Sequence, residues 1–308
     1  MKDYSKQNNE RIVKNTLTLI VRTALVMLVS LFTSRVVLSA LGIEDYGIYN
    51  IVGGVVVMFS VVSGALSASI SRFITFELGR ADMSKLRRIF STSINIQVGI
   101  SLLILILGET VGIWFLNYKM NIPLDRLEAA NWVLQCSLIT FVINLVSVPY
   151  NAVIIAHEKM SAFAYVSILE VILKLLIAYL LYISIWDKLV VYSLLLVLVA
   201  MTIRIVYGVY CNRHFFETRY QLVFDRTLIR DMTSFAGWGF FTNTAYLFNT
   251  QGINILINMF FGVGVNAACG IATQVESAMM RFVNDFTTAL NPQITKSYAI
   301  GNFDVMNK

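Results

Sequence analysis

The chain has 308 residues, of which 57% are hydrophobic and only 14% charged, where soluble domains carry about 25% charged residues; its mean hydropathy is +0.71. Those values exclude an ordinary soluble domain and leave an all-α polytopic membrane protein. The net charge of +6 does not indicate nucleic acid, because the basic residues lie beside or within apolar stretches and form no patch with interleaved aromatics.

The tail carries Lys2, Lys6, Arg11 and Lys14 ahead of an apolar run from Leu17 to Leu41. That run exceeds the hydrophobic region of a cleaved signal and contains Arg22 and Arg35, so an uncleaved first span is expected. A spanning helix needs about 20 mostly apolar residues. By that measure eight spans are predicted, at 16–40, 47–70, 89–116, 129–154, 163–185, 188–211, 235–260 and 266–290. Gly42 and Gly47 break the chain between the first two, Pro123 falls in the third connection, and Trp186, Asp187 and Lys188 make the fifth. The first, fifth and seventh connections are short, so the helices they join are antiparallel neighbours. Ser84–Phe90 and Asp225–Met232 mix basic and apolar residues at helical spacing. They read either as helices lying at the inner interface or as ordinary juxtamembrane anchors.

Of the 24 basic residues, 15 fall on the side of the N-terminal tail and only Lys119, Arg126 and Lys188 on the other, with six inside spans. The positive-inside rule then places the N-terminus in the cytoplasm with an even number of spans. Gly79 to Asp82 and Gly301 to Asp304 repeat at an offset of 222, each preceded by an Ile-Thr pair, and Gly42 and Gly47 find counterparts in Gly262 and Gly270. A parallel duplication explains these matches. It divides the chain into a six-helix first lobe at 1–211, a basic cytoplasmic linker with an amphipathic helix at 212–234, and the first two helices of a second lobe at 235–308. On that reading the chain breaks off four helices early; the alternative is a complete eight-span protein.

Six basic residues lie within spans: Arg22, Arg35, Arg72, Lys174, Arg204 and Arg281. At mid-membrane each costs roughly 2.5–3.5 kcal/mol unless it meets water, a partner or a ligand. Glu170 precedes Lys174 by four positions, the order that favours an ion pair on one helix face. The pair either neutralises itself or presents a cation to a cavity. Arg281 has Glu276 and Asp285 nearby and carries the same two readings. Arg22 and Arg35 have no acid within helical reach; Arg35 and Arg72 could snorkel to an interface, which leaves Arg22 the better cavity candidate. Asn243, Thr250, Asn254 and Asn258 form one stripe of the seventh span, as interhelical glue or cavity lining.

Enzyme signatures are missing. His157 and His214 are the only histidines, and there is no phosphate loop, nucleophile elbow or metal-spaced cluster. The expectation is therefore a non-enzyme with no cofactor and no metal, not driven by ATP hydrolysis on this chain. Cys136, Cys211 and Cys269 lie singly and read as buried free thiols.

Four segments carry a family resemblance: Leu41 to Asn50 (LGIEDYGIYN), Val148 to Met160 (VPYNAVIIAHEKM), Asn249 to Asn254 (NTQGIN), and Asn266 to Ala272 (NAACGIA) leading to Asn291 to Ile294 (NPQI). With these the chain resembles the multidrug/oligosaccharidyl-lipid/polysaccharide (MOP) exporter superfamily, and within it the polysaccharide transporters or Wzx-type flippases. The resemblance implies a MATE-like fold of two six-helix lobes around a cavity that opens alternately to each side of the bacterial cytoplasmic (inner) membrane. It implies translocation of a lipid-linked oligosaccharide of the undecaprenyl-diphosphate type, a precursor of O-antigen, capsule or exopolysaccharide. Membrane lipids and polysaccharide polymerase or assembly proteins are the implied partners, with coupling to a Na+ or H+ gradient left open. On this reading Arg22, Lys174 and Arg281 meet the diphosphate and Asn254 and Asn258 meet sugar. No family motif fixes these residues. The alternatives are a cation-coupled multidrug antiporter, which needs acidic cavity residues, and a membrane-embedded glycan transferase or polymerase, which would show a large catalytic loop.

Overall fold

The computed structural model describes the backbone of residues 2–57, 59–118, 120 and 122–301, and side chains within these outside 2–10, 54–55, 57, 60–62, 246–275 and 277–278. Among the described residues the fold is entirely helical. The elements are α1 (Lys2–Leu41), α2 (Ile43–Val57), α3 (Ser60–Arg80), α4 (Met83–Leu107), α5 (Ile113–Tyr118), α6 (Leu127–Ala156), α7 (Met160–Leu180), α8 (Lys188–His214) and α9 (Arg226–Ala299). Five stretches of the described chain are long and apolar enough to cross a membrane: Arg11–Leu41, Met83–Tyr118, Leu124–Ala156, Met160–Leu180 and Lys188–His214. They coincide with the first and third to sixth predicted spans. The predicted second span is divided into α2 and α3, which meet at a turn where the Phe59 amide donates to the Val56 carbonyl.

Helix starts follow from capping. Asp82, Asp187 and Asp225 precede α4, α8 and α9, and each side chain accepts from backbone amides of the first turn, satisfying donors that have no intrahelical partner. Gly42 takes φ +85° between α1 and α2, a left-handed conformation that glycine adopts without a steric penalty. Ala81 and Gly301, 220 positions apart, take φ 57° and 73° just past the ends of α3 and α9, the usual left-handed helix stop.

The two last predicted spans both fall inside α9, which is not a straight rod. A Cβ on Gly239 would lie 3.7 Å from Ala65, and one on Gly79 would lie 2.8 Å from Cβ of Ala299. Ala65 and Gly79 are about 21 Å apart along α3, whereas Gly239 and Ala299 would be about 90 Å apart on a straight helix. The axis of α9 therefore bends between these contacts, and both of its ends reach α3.

Packing places α1 on α7, α6 on α8, and α3 between α6 and α9. The core includes Val37, Ile70, Ile74, Leu86, Ile89, Phe90, Val153 and Ile154, all at 1% exposure or less. Exposed Leu28, Leu102, Leu103 and Ile106 remain for lipid. Gly108, in the π-helical turn Gly108–Gly112 between α4 and α5, lets α6 approach closely: an added Cβ would stand 2.5 Å from Leu138.

The two amphipathic segments do not lie apart at an interface. Ser84–Phe90 is the first stretch of α4, with Leu86, Ile89 and Phe90 wholly buried, and Asp225–Met232 opens α9 with Met232 buried. Their apolar faces go to the protein core rather than to lipid. The stretch before α9 is strapped to α4: Asn95 donates to the Val223 carbonyl, the Tyr220 hydroxyl donates to Asn95, and Ser91 accepts from the Gln221 amide.

Candidate functional site: a cationic cavity between α1 and α9

The stripe Thr23, Val26, Ser30 and Ser34 on α1 faces Arg281, Asn284 and Asp285 on α9 across a cavity of about 560 Å3, within the roughly 300–1,000 Å3 of small-molecule sites. At the end nearer the α1 N-terminus the cavity is closed. Leu19, Met160 and Ala289 are wholly buried against one another, and Lys296 and Gln293 donate to Glu158 at 2.9 and 3.2 Å. Thr23 donates to Asp285 at 2.5 Å just above this seal.

Arg22 lines the cavity at that floor. Its guanidinium carbon lies 4.7 Å from the centre of the Phe163 ring, and its Nε is buried without a hydrogen-bond partner. Arg281 lines the same cavity, is exposed to it, and forms no ion pair among the described residues. The local pair expected between Arg281 and Asp285 is not made. Asp285 is buried and accepts from Thr23 instead, 262 positions away.

A second chamber of about 200 Å3 shares Ser30 and Ser34 with the first and is walled by Tyr46, Tyr49, Asn50, Lys174 and Tyr192. Lys174 donates to Glu170 at 2.6 Å, as the four-residue spacing anticipates. The remaining predicted residues lie elsewhere. Arg72 stacks on Phe235 at 4.6 Å where α3 meets α9, and Arg204 stacks on Tyr150 at 3.9 Å between α8 and α6. Arg35 is exposed and lines neither chamber, and Asn243 is exposed on α9. Asn254 and Asn258 fall outside the described side chains, as does Cys269; Cys136 and Cys211 are buried free thiols.

Thr23, Ser30, Ser34, Asn284, Tyr46, Tyr49, Asn50 and Tyr192 also line the two chambers, and reasoning from charge alone passes over them. The i, i+4 placement of Ser30 and Ser34 on the stripe of Thr23 was the available signal. At the opposite end of the bundle, Arg126 bridges Asp45 at 2.5 Å and Asp187 at 2.6 Å, tying together the starts of α2, α6 and α8. Partial burial opposes the charge on Asp187, but the Arg126 guanidinium and the first amides of α8 prevail and hold its carboxyl below the usual range.

The family described as "Polysaccharide biosynthesis protein" matches residues 12–298. The chain belongs to that family. None of the curated proteins matches the sequence. Among solved structures, a MOP superfamily transporter from Pyrococcus furiosus, described as having a binding pocket of reverse polarity, superposes with a TM-score of 0.80 at 14% identity, over 97% of this chain and 67% of that one. A multidrug resistance MATE family transporter in an outward-facing conformation gives 0.78 at 14% identity, with the same coverage. A mutant of the Vibrio cholerae MATE transporter VcmN gives 0.78 at 12% identity, over 98% and 69%. At such identities the likeness is one of fold, and this chain spans about two thirds of the length of each neighbour. Family, fold and the five long apolar helices together make this polysaccharide biosynthesis protein a multi-pass membrane protein with a MATE-like architecture.

Proposed function

We propose that the protein is a flippase that carries a lipid-diphosphate-linked oligosaccharide across the bacterial cytoplasmic membrane by alternating access. The observation that carries this reading is the state of Arg22, half-buried with its Nε buried and unpartnered, at the floor of a cavity that also holds Arg281. Cations without acids are costly at membrane depth. A diphosphate would satisfy both, because the planar fork of arginine matches phosphate oxygens with two parallel hydrogen bonds. The lining acid, Asp285, is already engaged by Thr23, so the cavity's surplus is positive.

With the N-terminus in the cytoplasm, the sealed end of the cavity faces inward. Cargo would enter when the contacts of Leu19, Met160 and Ala289 part, and leave on the outer side. The lipid chain would stay in the bilayer while the polar head crosses. The carrier would be of the undecaprenyl-diphosphate type, with polysaccharide polymerase or assembly proteins receiving it outside and a Na+ or H+ gradient resetting the cycle.

The test is surface-glycan export in cells whose copy of the protein carries Arg22→Ala. Export should fall to background while the protein remains in the membrane fraction at wild-type level. Arg22→Lys should restore part of it for a point-charge contact and none for a bidentate one. Wild-type export by Arg22→Ala would overturn the assignment. A multidrug antiporter would instead lose drug efflux in Asp285→Asn with glycan export untouched.

A further inference from the structure

The two chambers that share Ser30 and Ser34 differ in chemistry. The larger one presents Arg22 and Arg281, neither in an ion pair among the described residues. In the smaller one the only cation, Lys174, is already compensated by Glu170 at 2.6 Å. Its other walls are uncharged: Tyr46, Tyr49 and Asn50 from α2 and Tyr192 from α8, beside the hydroxyls of Ser30, Thr33 and Ser34 and two valines. Tyr49 and Tyr192 meet edge to face, ring centroids 5.0 Å apart at 66°, which fixes both rings. Asn50 donates to the Tyr46 carbonyl at 2.9 Å, leaving its amide oxygen to accept from a ligand. The ion pair likewise keeps capacity in reserve. An ammonium has three donors and one goes to Glu170.

Such a wall does not suit a second phosphate, because its net charge is zero. It suits a neutral pyranose, which offers apolar C–H faces to aromatic rings and a rim of hydroxyls that both donate and accept. We infer that this chamber is the seat of the first sugar rings of the cargo, stacked on the tyrosines and hydrogen-bonded by Asn50 and the remaining donors of Lys174, while the diphosphate remains with Arg22 and Arg281. The inference rests on the flippase reading and refines it: Lys174 moves from the phosphate to the sugar. The spacing agrees. Arg22 and Ser34 are about 18 Å apart along α1, room for a diphosphate followed by the first rings. Sugar selectivity is then set by α2, α7 and α8, and head-group capture by α1 and α9.

The experiment is equilibrium binding to the purified full chain in lipid nanodiscs, with two probes: a bare polyprenyl diphosphate, and the same lipid carrying one neutral pyranose. Wild type should bind the glycosylated probe more tightly. Asn50→Ala and Tyr46→Ala should each cost the glycosylated probe about tenfold more affinity than the bare one, a difference of about 1.4 kcal/mol. Tyr46→Phe should recover most of the loss, since the ring is kept. Equal affinity of wild type for both probes, or equal losses for both in Asn50→Ala and Tyr46→Ala, would overturn the subsite. Arg22→Ala separates the two readings: it should weaken both probes alike. If it weakens neither, the diphosphate assignment fails, whatever α2 does.

Discussion

Arg204 and Arg22 both place a guanidinium against an aromatic ring, at 3.9 Å from Tyr150 and 4.7 Å from Phe163. Only Arg22 also lines a cavity and leaves a buried nitrogen unpartnered. Arg204→Met should therefore lower the melting temperature in detergent by an amount equivalent to about 1–2 kcal/mol, the scale of a desolvated cation–π contact. Surface-glycan export per folded molecule should not change. Arg22→Ala should behave in the opposite way, with export lost and little change in melting. If Arg204→Met abolishes export at unchanged stability, the division between structural and cavity arginines is wrong. The sequence shows six basic residues inside spans but not this division, since a ring in contact with Arg204 lies on another helix. The Lys174–Glu170 pair was legible because its partners are four positions apart. The Thr23–Asp285 bond was not, because 262 positions separate its ends.

At the scale of elements, the apolar lengths of α1, α4, α6, α7 and α8 emerge from hydropathy alone, since each must present an uninterrupted apolar surface to lipid. The division of the second span into α2 and α3 does not, because the run stays apolar across it. Close approach between elements depends on particular small residues. Gly108 leaves no space for a side chain against Leu138. Gly108→Ala should thus force Leu138 to repack, or α4 and α6 to part, and cost about 1–3 kcal/mol, read as a fall in melting temperature. Relief by the second change Leu138→Ala is expected, and its failure would place the strain elsewhere. Gly79 is tight in another way. Its contacts are Ala299 and the Lys296 backbone, so a larger residue there should separate α3 from the end of α9 and loosen the floor of the cavity rather than the core.

For the whole molecule, the contacts that close that floor come from distant parts of the chain: Leu19 on α1, Glu158 in the turn between α6 and α7, and Ala289, Gln293 and Lys296 on α9. A cavity sealed at one end by a few detachable contacts is what alternating access requires, because a modest energy then separates two states. On the proposed orientation, with the N-terminus in the cytoplasm, the seal would face the cytoplasm and the cavity would open outward. The ion pair is partly screened, Lys296 being 22% exposed and Glu158 10%, so breaking it should shift the population of states rather than unfold the protein. A cysteine at Ser30 reports on the shift, in a background with Cys136, Cys211 and Cys269 replaced. A membrane-impermeant thiol reagent added outside should label Ser30→Cys readily in the parent protein. Adding Glu158→Gln should slow outside labelling and raise labelling from the inner face of inverted vesicles. The charge-swapped pair, Glu158→Lys with Lys296→Glu, should return both rates toward the parent values. Unchanged rates in Glu158→Gln would mean that the apolar contact of Leu19, Met160 and Ala289 holds the floor by itself. Ala289→Ser should then be the substitution that opens it.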